Sequence, residues 1–261
     1  MLIALTQIDQ KWEAKEENLL TCKSLISEVK ESGVNLVIFP EMTLTGFSMN
    51  YEAIAEGSDT LPTLEKFRRL TLEYEVGIIF GMAIRSDSGG TNTSIYLSRE
   101  GKVLGKYNKI HPFSAAGEDE IILPGESLCI VDNEGLRIGM TICYDLRFPE
   151  IFSAASNNCD LIVNIANWPA KRIEHWNCLL KARAIENQLY IAGVNRIGID
   201  ANSIKYEKSS ILINPNGDRV DALVENENFS IYEVNESLVN AFRRSFSTTQ
   251  DRRPDLYKSM L

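Results

Sequence analysis

The chain has 261 residues, near the upper end of what a single hydrophobic core supports, so one large domain and two fused halves are both open. Apolar residues make up 44% and charged residues 24%, ordinary globular usage that argues against a disordered tail or a fibrous repeat. A formal charge of -9 disfavours electrostatic capture of nucleic acid or of an anionic membrane, and small-molecule chemistry fits better.

The N-terminal MLIALTQIDQKWEAKEEN holds a short apolar run with neither a basic leader nor a small-residue cleavage site, so it reads as a first strand. No stretch is long enough to span a membrane. The cysteines Cys22, Cys129, Cys143, Cys159 and Cys178 are odd in number, widely spaced and without any CxxC. Neither a disulfide framework nor a zinc site is suggested, and reduced thiols in the cytoplasm are expected.

Residues 2–8 are strand-like, and 15–32 carry a helical apolar period through Leu19, Leu20, Ile26 and Val29. Gly33 then introduces the buried run Val34–Phe39. A helical pattern from Leu64 to Tyr74 leads to the strand VGIIFGMAIR, and TSIYLSREGKVLGKY turns at Glu100-Gly101 as a hairpin. The second half repeats the order: a strand over 137–145, a short helix over 148–158, a buried strand over 160–169, a helix over 173–188, the strand LYIAGVNRI and a hairpin around Asn216-Gly217. Residues 2–107 and 136–225 thus read as two similar halves joined by an irregular segment. Paired sheet against sheet with helices outside, they predict an α/β fold, a four-layer α-β-β-α sandwich with an internal pseudo-twofold repeat. Its strand ends would converge where Glu41 and Cys143 fall.

Cys143 lies in RIGMTICYDLRFPE, where a β-branched strand breaks before a helix start at Phe148-Pro149-Glu150. That is the setting of a nucleophile elbow, although a lone cysteine is more often a small buried hydrophobe. Glu41 directly follows the apolar strand LVIFP, where charge is costly unless used; an exposed strand-end acid is the plain alternative. Lys109 and His111 follow the first hairpin in KYNKIHPF, and both are also consistent with surface residues. Glu118, Asp119, Glu120 and Glu126 form an acidic cluster whose default meaning is a hydrated loop, with room for one carboxylate to face inward. Asn167-Trp168-Pro169 occupies in the second half the place that Glu41 holds in the first, and suits a pocket rim or core packing. The helix 173–188 buries Ile173, Trp176, Leu180 and Ala184 on one face, Arg183 and Glu186 read as a surface or interface ion pair, and His175 as a packed or capping residue. There is no GxGxxG after a strand, no GxxxxGK[ST], no HExxH and no GxSxG, and no metal site is inferred.

Taken together, LVIFPEMTLTGFS, GKYNKIHPF and IGMTICYDLRFPE resemble the Glu–Lys–Cys signature of the nitrilase, or carbon–nitrogen hydrolase, superfamily. The likeness spans nearly the whole chain, and NWPAKRIEHWNCLLKARAIENQLYIAGVNRIG and FRRSFSTTQDRRPDLY are similar to its bacterial omega-amidase branch. The resemblance implies that Glu41 is the general base for Cys143, that Lys109 stabilises the thiolate and then the oxyanion, and that the Tyr144 backbone N–H is a second oxyanion donor. Glu118 would match the family's second glutamate, which orients the reacting groups. The implied reaction is amide hydrolysis through a thioester, without a cofactor, on a substrate such as 2-oxoglutaramate or 2-oxosuccinamate. Its distal carboxylate would be bound by Arg147 or Arg172, with Trp168 as a pocket wall. A single domain over 1–261 is implied, with a homodimer or larger homo-oligomer whose interface includes 240–261. Two departures stand out: EMTLTGF, which points to altered side-chain selectivity through a pocket residue near Thr43 or Leu44, and Lys208 where relatives commonly have glycine. Competing expectations are a nitrilase or N-carbamoyl amidohydrolase of the same superfamily, a Cys143–His111 hydrolase, and a catalytically silent binding or scaffold subunit.

Overall fold

A computed structural model describes residues 1–86 and 89–260, so Leu261, at the end of the expected 240–261 extension, lies outside them. The first part of the chain forms β1 (Leu2–Thr6), α1 (Lys15–Lys30), β2 (Leu36–Ile38), α2 (Tyr51–Ile54), β3 (Glu56–Gly57), α3 (Pro62–Tyr74), β4 (Gly77–Ser86), β5 (Gly89–Leu97) and β6 (Val103–Asn108). After a linking segment follow β7 (Cys129–Asn133), β8 (Leu136–Ile142), α4 (Pro149–Ala155), β9 (Leu161–Ala166), α5 (Ile173–Asn187), β10 (Tyr190–Asn195), β11 (Gly198–Ile199), β12 (Lys205–Tyr206), β13 (Ile211–Ile213), β14 (Val224–Glu225), β15 (Phe229–Glu233), α6 (Glu236–Ser245) and α7 (Pro254–Lys258).

The two halves share one connectivity. In the first sheet, β1 pairs parallel with β2 and β2 with β4, and β4 then pairs antiparallel with β5. In the second, β8 pairs parallel with β9 and β9 with β10, and β10 pairs antiparallel with β13. Each sheet also carries an antiparallel strand on the outer side of its first parallel strand: β15 beside β1, β7 beside β8. The sequence pattern missed β7 and β15, because neither belongs to the repeated β-α-β unit.

Strand alternation builds the layers. Ile3, Leu5, Leu36, Ile38 and Ile79 of the first sheet meet Ile138, Met140, Leu161, Val163 and Val194 of the second in one buried cluster, the centre of the sandwich. Their neighbours on the opposite face, Ala4, Val37, Ile78 and Phe80, pack against Cys22, Ile26 and Val29 of α1 and Leu64 and Phe67 of α3. Ile162, Ala166 and Ile191 pack outward against Phe152 of α4 and Trp176, Leu180 and Ala184 of α5. The result is helix, sheet, sheet, helix. Close approach between helix and sheet requires glycine at 193, where a Cβ would stand 2.5 Å from Leu180 Cδ1 and 2.7 Å from Trp176 Cζ2.

Two local expectations change. The Arg183–Glu186 ion pair forms at 3.0 Å, but Arg183 itself is buried and not at the surface, its Nε and Nη2 donating to the Leu146 carbonyl at 3.1 and 2.8 Å. The burial arises because α5 lies directly under the turn after β8. His175 is exposed instead of packed, with Nδ1 3.4 Å from the Arg147 guanidinium. At the position where glycine was expected, Lys208 pairs with Glu225 at 2.9 Å, and the turn forms around it. The 240–252 stretch folds back on its own chain: Arg243 donates to the Ser156, Cys159 and Gln188 carbonyls, and Arg252 to the Ser153 hydroxyl and the Glu186 carbonyl. Among the described residues, no helix is long and apolar enough to cross a membrane.

Buried thiols make the fold sensitive to alkali. Cys159 is fully buried, and burial, followed by the neighbouring Asp160 charge, pushes its thiol up to about 12. An unfolded thiol titrates near about 8.5, so the unfolded chain loses this proton first and the stabilisation is lost as pH rises from there. The expected outcome in urea melts is that stability declines above about pH 8.5, by up to about 1.4 kcal/mol per pH unit from this thiol, and less steeply in Cys159→Ala. Parallel slopes for the two proteins would remove Cys159 as a contributor.

Candidate active site

Glu41 sits in the turn after β2, at the end of the central sheet face. The turn lies flat on β4 because residue 81 is glycine: a Cβ there would stand 2.6 Å from the Met42 nitrogen and 3.1 Å from the Glu41 Cα. Thr43 stitches the turn down, its Oγ1 donating to the Pro40 carbonyl at 2.7 Å and accepting from the Gly81 N–H at 3.0 Å. Thr43 and Leu44 are accordingly buried structural residues that do not line the cavity, whereas the nearby Phe47 and Ser48 do.

This turn brings a fully buried carboxylate to a fully buried ammonium. Lys109, just past β6, donates to Glu41 Oε1 at 3.0 Å and to Glu118 Oε2 at 2.7 Å, with none of the three side chains exposed. Asn92 of β5 bridges the two acids, its Nδ2 lying 2.8 Å from Glu41 Oε1 and 2.9 Å from Glu118 Oε1. Glu41 Oε2 accepts the Asn167 N–H at 2.9 Å, and Glu118 Oε2 the Phe113 N–H at 2.6 Å. Of the acidic cluster only Glu118 faces inward; Asp119, Glu120 and Glu126 are exposed. Burial pulls the Lys109 amine down, but the Glu41 and Glu118 charges outweigh it and hold the ammonium well above its ordinary range.

Cys143 starts a 3₁₀ turn, Cys143–Arg147, at the end of β8, with a left-handed φ of 46°. That backbone is strained for a residue bearing a Cβ, and it projects the side chain off the strand end. Sγ lies 3.9 Å from the Asn167 carbonyl. The leading N–H groups of such a turn, Tyr144's among them, have no acceptor inside it. Burial first and the Glu41 charge second push the thiol well above its ordinary pKa, with Lys109 opposing. Desolvation and the Glu41 charge thus work against the thiolate at Cys143, while the Lys109 charge favours it.

His111 is engaged elsewhere. Its Nδ1 is 2.8 Å from Asp145 Oδ1, and its ring stacks on Phe148 at 3.7 Å, whereas the charges acting on Cys143 are those of Glu41, Lys109 and Glu118. A Cys143–His111 pair is not formed.

Cys143 opens onto a cavity of about 510 Å³ lined by Phe47, Phe113, Tyr144, Arg147, Asn167, Trp168, Arg172, Asp200 and Tyr206 among others. Glu41, Lys109 and Glu118 lie behind this wall. Arg147 stacks over Trp168 at 4.8 Å and Arg172 over Phe113 at 5.6 Å. Neither forms an ion pair with a carboxylate among the described residues. Sequence reasoning missed Asn92, Asp145, Asp200 and Tyr206: their motifs are too short to read, and only pairing across sheets gives them partners. Arg196, also missed, is fully buried behind the Tyr206 ring at 4.6 Å, its guanidinium pulled down by burial. Among the described residues no cluster of three or more His, Cys, Asp or Glu is arranged to hold a metal ion.

With this geometry in hand, the Carbon-nitrogen hydrolase family model matches residues 2–244. The chain is 33% identical over 251 residues to omega-amidase YafV of Yersinia enterocolitica, covering 95% of both chains. It is 28% identical over 264 residues to 2-oxoglutaramate amidase of Bacillus subtilis, covering 98% of both. Among solved structures, XC1258 of Xanthomonas campestris, a CN-hydrolase superfamily protein, superimposes with a TM-score of 0.88 at 29% identity, covering 97% of both chains. The amidase from Nesterenkonia sp. shares the fold with a TM-score of 0.85 at 21% identity, covering 100% of this chain and 96% of that one. The chain belongs to the carbon–nitrogen hydrolase family of the nitrilase superfamily, and is a hydrolase of C–N bonds.

Removing the ammonium leaves two buried carboxylates facing each other without compensation. Lys109→Met should therefore destabilise the fold by about 3–5 kcal/mol in urea melts at neutral pH. A loss below about 1 kcal/mol would mean that Glu41 and Glu118 do not depend on it.

Proposed function

We propose that this chain is an amidase that hydrolyses a small carboxamide bearing a distal carboxylate, the omega-amide of a 2-oxo dicarboxylic acid such as 2-oxoglutaramate, to carboxylate and ammonia. The observation that carries the reading is the buried Glu41–Lys109–Glu118 network set behind Cys143, whose strained backbone places it in the wall of a cavity holding two arginines that have no carboxylate partner among the described residues. The omega-amidases and the 2-oxoglutaramate amidase among the relatives support the substrate class.

Glu41 takes the Cys143 proton as sulfur attacks the amide carbon, so the high thiol pKa is met by a base already in place. The oxyanion of the tetrahedral intermediate is stabilised by the Lys109 ammonium and the Tyr144 N–H. Collapse breaks the C–N bond, Glu41 returns its proton to the departing nitrogen, and ammonia leaves a thioester. A water then gives its proton to Glu41 and attacks the thioester carbon, and the sulfur leaves, regaining its proton from Glu41. Glu118 holds Lys109 in place. The chemistry needs no cofactor. Arg147 and Arg172 meet the substrate's carboxylate, with Trp168 as a wall against its carbon chain. Self-association through the helical layer and a cytoplasmic setting belong to the same reading.

Cys143→Ala should fold as the wild type and release no ammonia from 2-oxoglutaramate, and intact mass spectrometry during turnover should show an acyl adduct on the wild type alone. An alanine variant as fast as the wild type would refute the thioester route. A panel of amides, nitriles and N-carbamoyl amino acids, read for ammonia and carbon dioxide, separates the amidase from the nitrilase and carbamoylase alternatives; no turnover of any compound would favour a silent binding subunit. Arg147→Gln and Arg172→Gln should raise KM for carboxylate-bearing amides about tenfold or more, the scale of a lost charge-assisted contact, and leave neutral amides of equal length nearly unchanged. An equal loss on both substrate types would remove the arginines from carboxylate recognition.

A further inference from the structure

Asp145 is fully buried, and four donors fill its carboxylate. Oδ1 accepts the His111 N–H at 3.0 Å and faces His111 Nδ1 at 2.8 Å, while Oδ2 accepts the Tyr107 O–H at 2.7 Å and the Ile142 N–H at 3.0 Å. Tyr107 and His111 flank Lys109 in the first half of the chain; Ile142 and Asp145 itself flank Cys143 in the second. The two residues of the proposed chemistry thus sit in short segments that are both closed on one carboxylate. No hydrogen bond joins Asp145 to the sulfur or to the ammonium, and its contacts to their segments are to the Ile142 and His111 N–H groups and the Tyr107 and His111 side chains.

We propose that Asp145 is a positioning residue, a cross-half clamp that holds the Cys143 turn and the Lys109 segment in one register, with His111 as its replaceable second partner. The inference rests on the proposed hydrolysis at Cys143 for its functional meaning, though not for its geometry. Left to itself a cysteine avoids the left-handed backbone found at 143, so an external hold is required. The Ile142 N–H immediately before it and the Asp145 side chain just after it supply that hold. His111 contributes a contact from a ring 26% exposed and stacked on Phe148 at the edge of the core, so its side chain is the easier of the two to remove.

Labelling with iodoacetamide, mapped by peptide mass, reads this placement without knowledge of the substrate. The other thiols serve as internal standards: Cys178 is exposed, whereas Cys22 and Cys159 are buried and report unfolding. Asp160→Asn is the matched control, because Asp160 is equally a buried acid, tied to Arg137 at 2.7 Å, but remote from the Cys143 turn. Asp145→Asn keeps the shape but cannot accept from all four donors. It should slow Cys143 labelling about 10- to 100-fold, as expected when a reacting atom is misplaced by about 1 Å, with Cys178 unchanged and Cys22 protected. Its kcat on the carboxamide should fall by a similar factor while KM stays within about twofold. His111→Ala should slow labelling severalfold, and Asp160→Asn should leave it unchanged. Should Asp145→Asn fail to fold, His111→Ala carries the test alone. Wild-type labelling in the folded variants, or an equal slowing in Asp160→Asn, overturns the clamp. A wild type that labels as described but turns over no amide refutes the amidase reading and leaves the clamp standing.

Discussion

An ammonium closed off from water between two carboxylates is the constraint around which this molecule is arranged. At about 3 Å and an effective dielectric near 20, each contact is worth about 5 kcal/mol, and the cost of desolvating three ions is of the same order. The network therefore adds little net stability over an apolar core of the same volume. Its value lies in what it imposes on neighbours: a carboxylate with fixed geometry, an ammonium beside it, and a field at Cys143 in which the Glu41 and Lys109 charges act in opposite directions. Each carboxylate oxygen in it is given a donor, from Asn92 Nδ2 and Lys109 Nζ between the acids to the Asn167 and Phe113 N–H groups.

The doubled architecture explains how three residues so far apart in the chain meet. Each half ends parallel strands at the same edge of its sheet, and face-to-face packing of the sheets brings those edges together. Glu41 leaves β2 and Asn167 follows β9, equivalent strands in the two halves, and they are joined by hydrogen bonds between Asn167 and Glu41 Oε2 and the Glu41 carbonyl. The pseudo-twofold axis thus passes close to the chemistry. Small residues make the close approaches possible: Gly81 under the Glu41 turn and Gly193 under α5.

The outer wall answers to a different need. Arg147 lies over Trp168 and Arg172 over Phe113, so aromatic faces hold both guanidinium groups in the cavity wall, with His175 Nδ1 3.4 Å from that of Arg147. The buried charged network and the cationic wall lie on different elements, with Cys143 in the wall between them.

Much of this was legible in one dimension. Hydrophobic periodicity gave the strands and helices of both halves, because the interior faces of the sandwich demand runs such as LVIF and LIVNIA; the three short motifs singled out Glu41, Lys109 and Cys143 only together, through their resemblance to a family signature, since each alone also fits a surface or packed residue. Glu118 was separable from its acidic neighbours only through its motif, and it is the tertiary fold that turns it inward while Asp119 and Glu120 stay in water. The edge strands β7 and β15, the Asp145 clamp, the burial of Arg183 and the displacement of Thr43 from the pocket were decided in three dimensions alone. A sequence states which residues are apolar and which carry charge, by local spacing. Which proton a thiol keeps, and which carboxylate loses its water, depends on atoms brought from the other half of the chain.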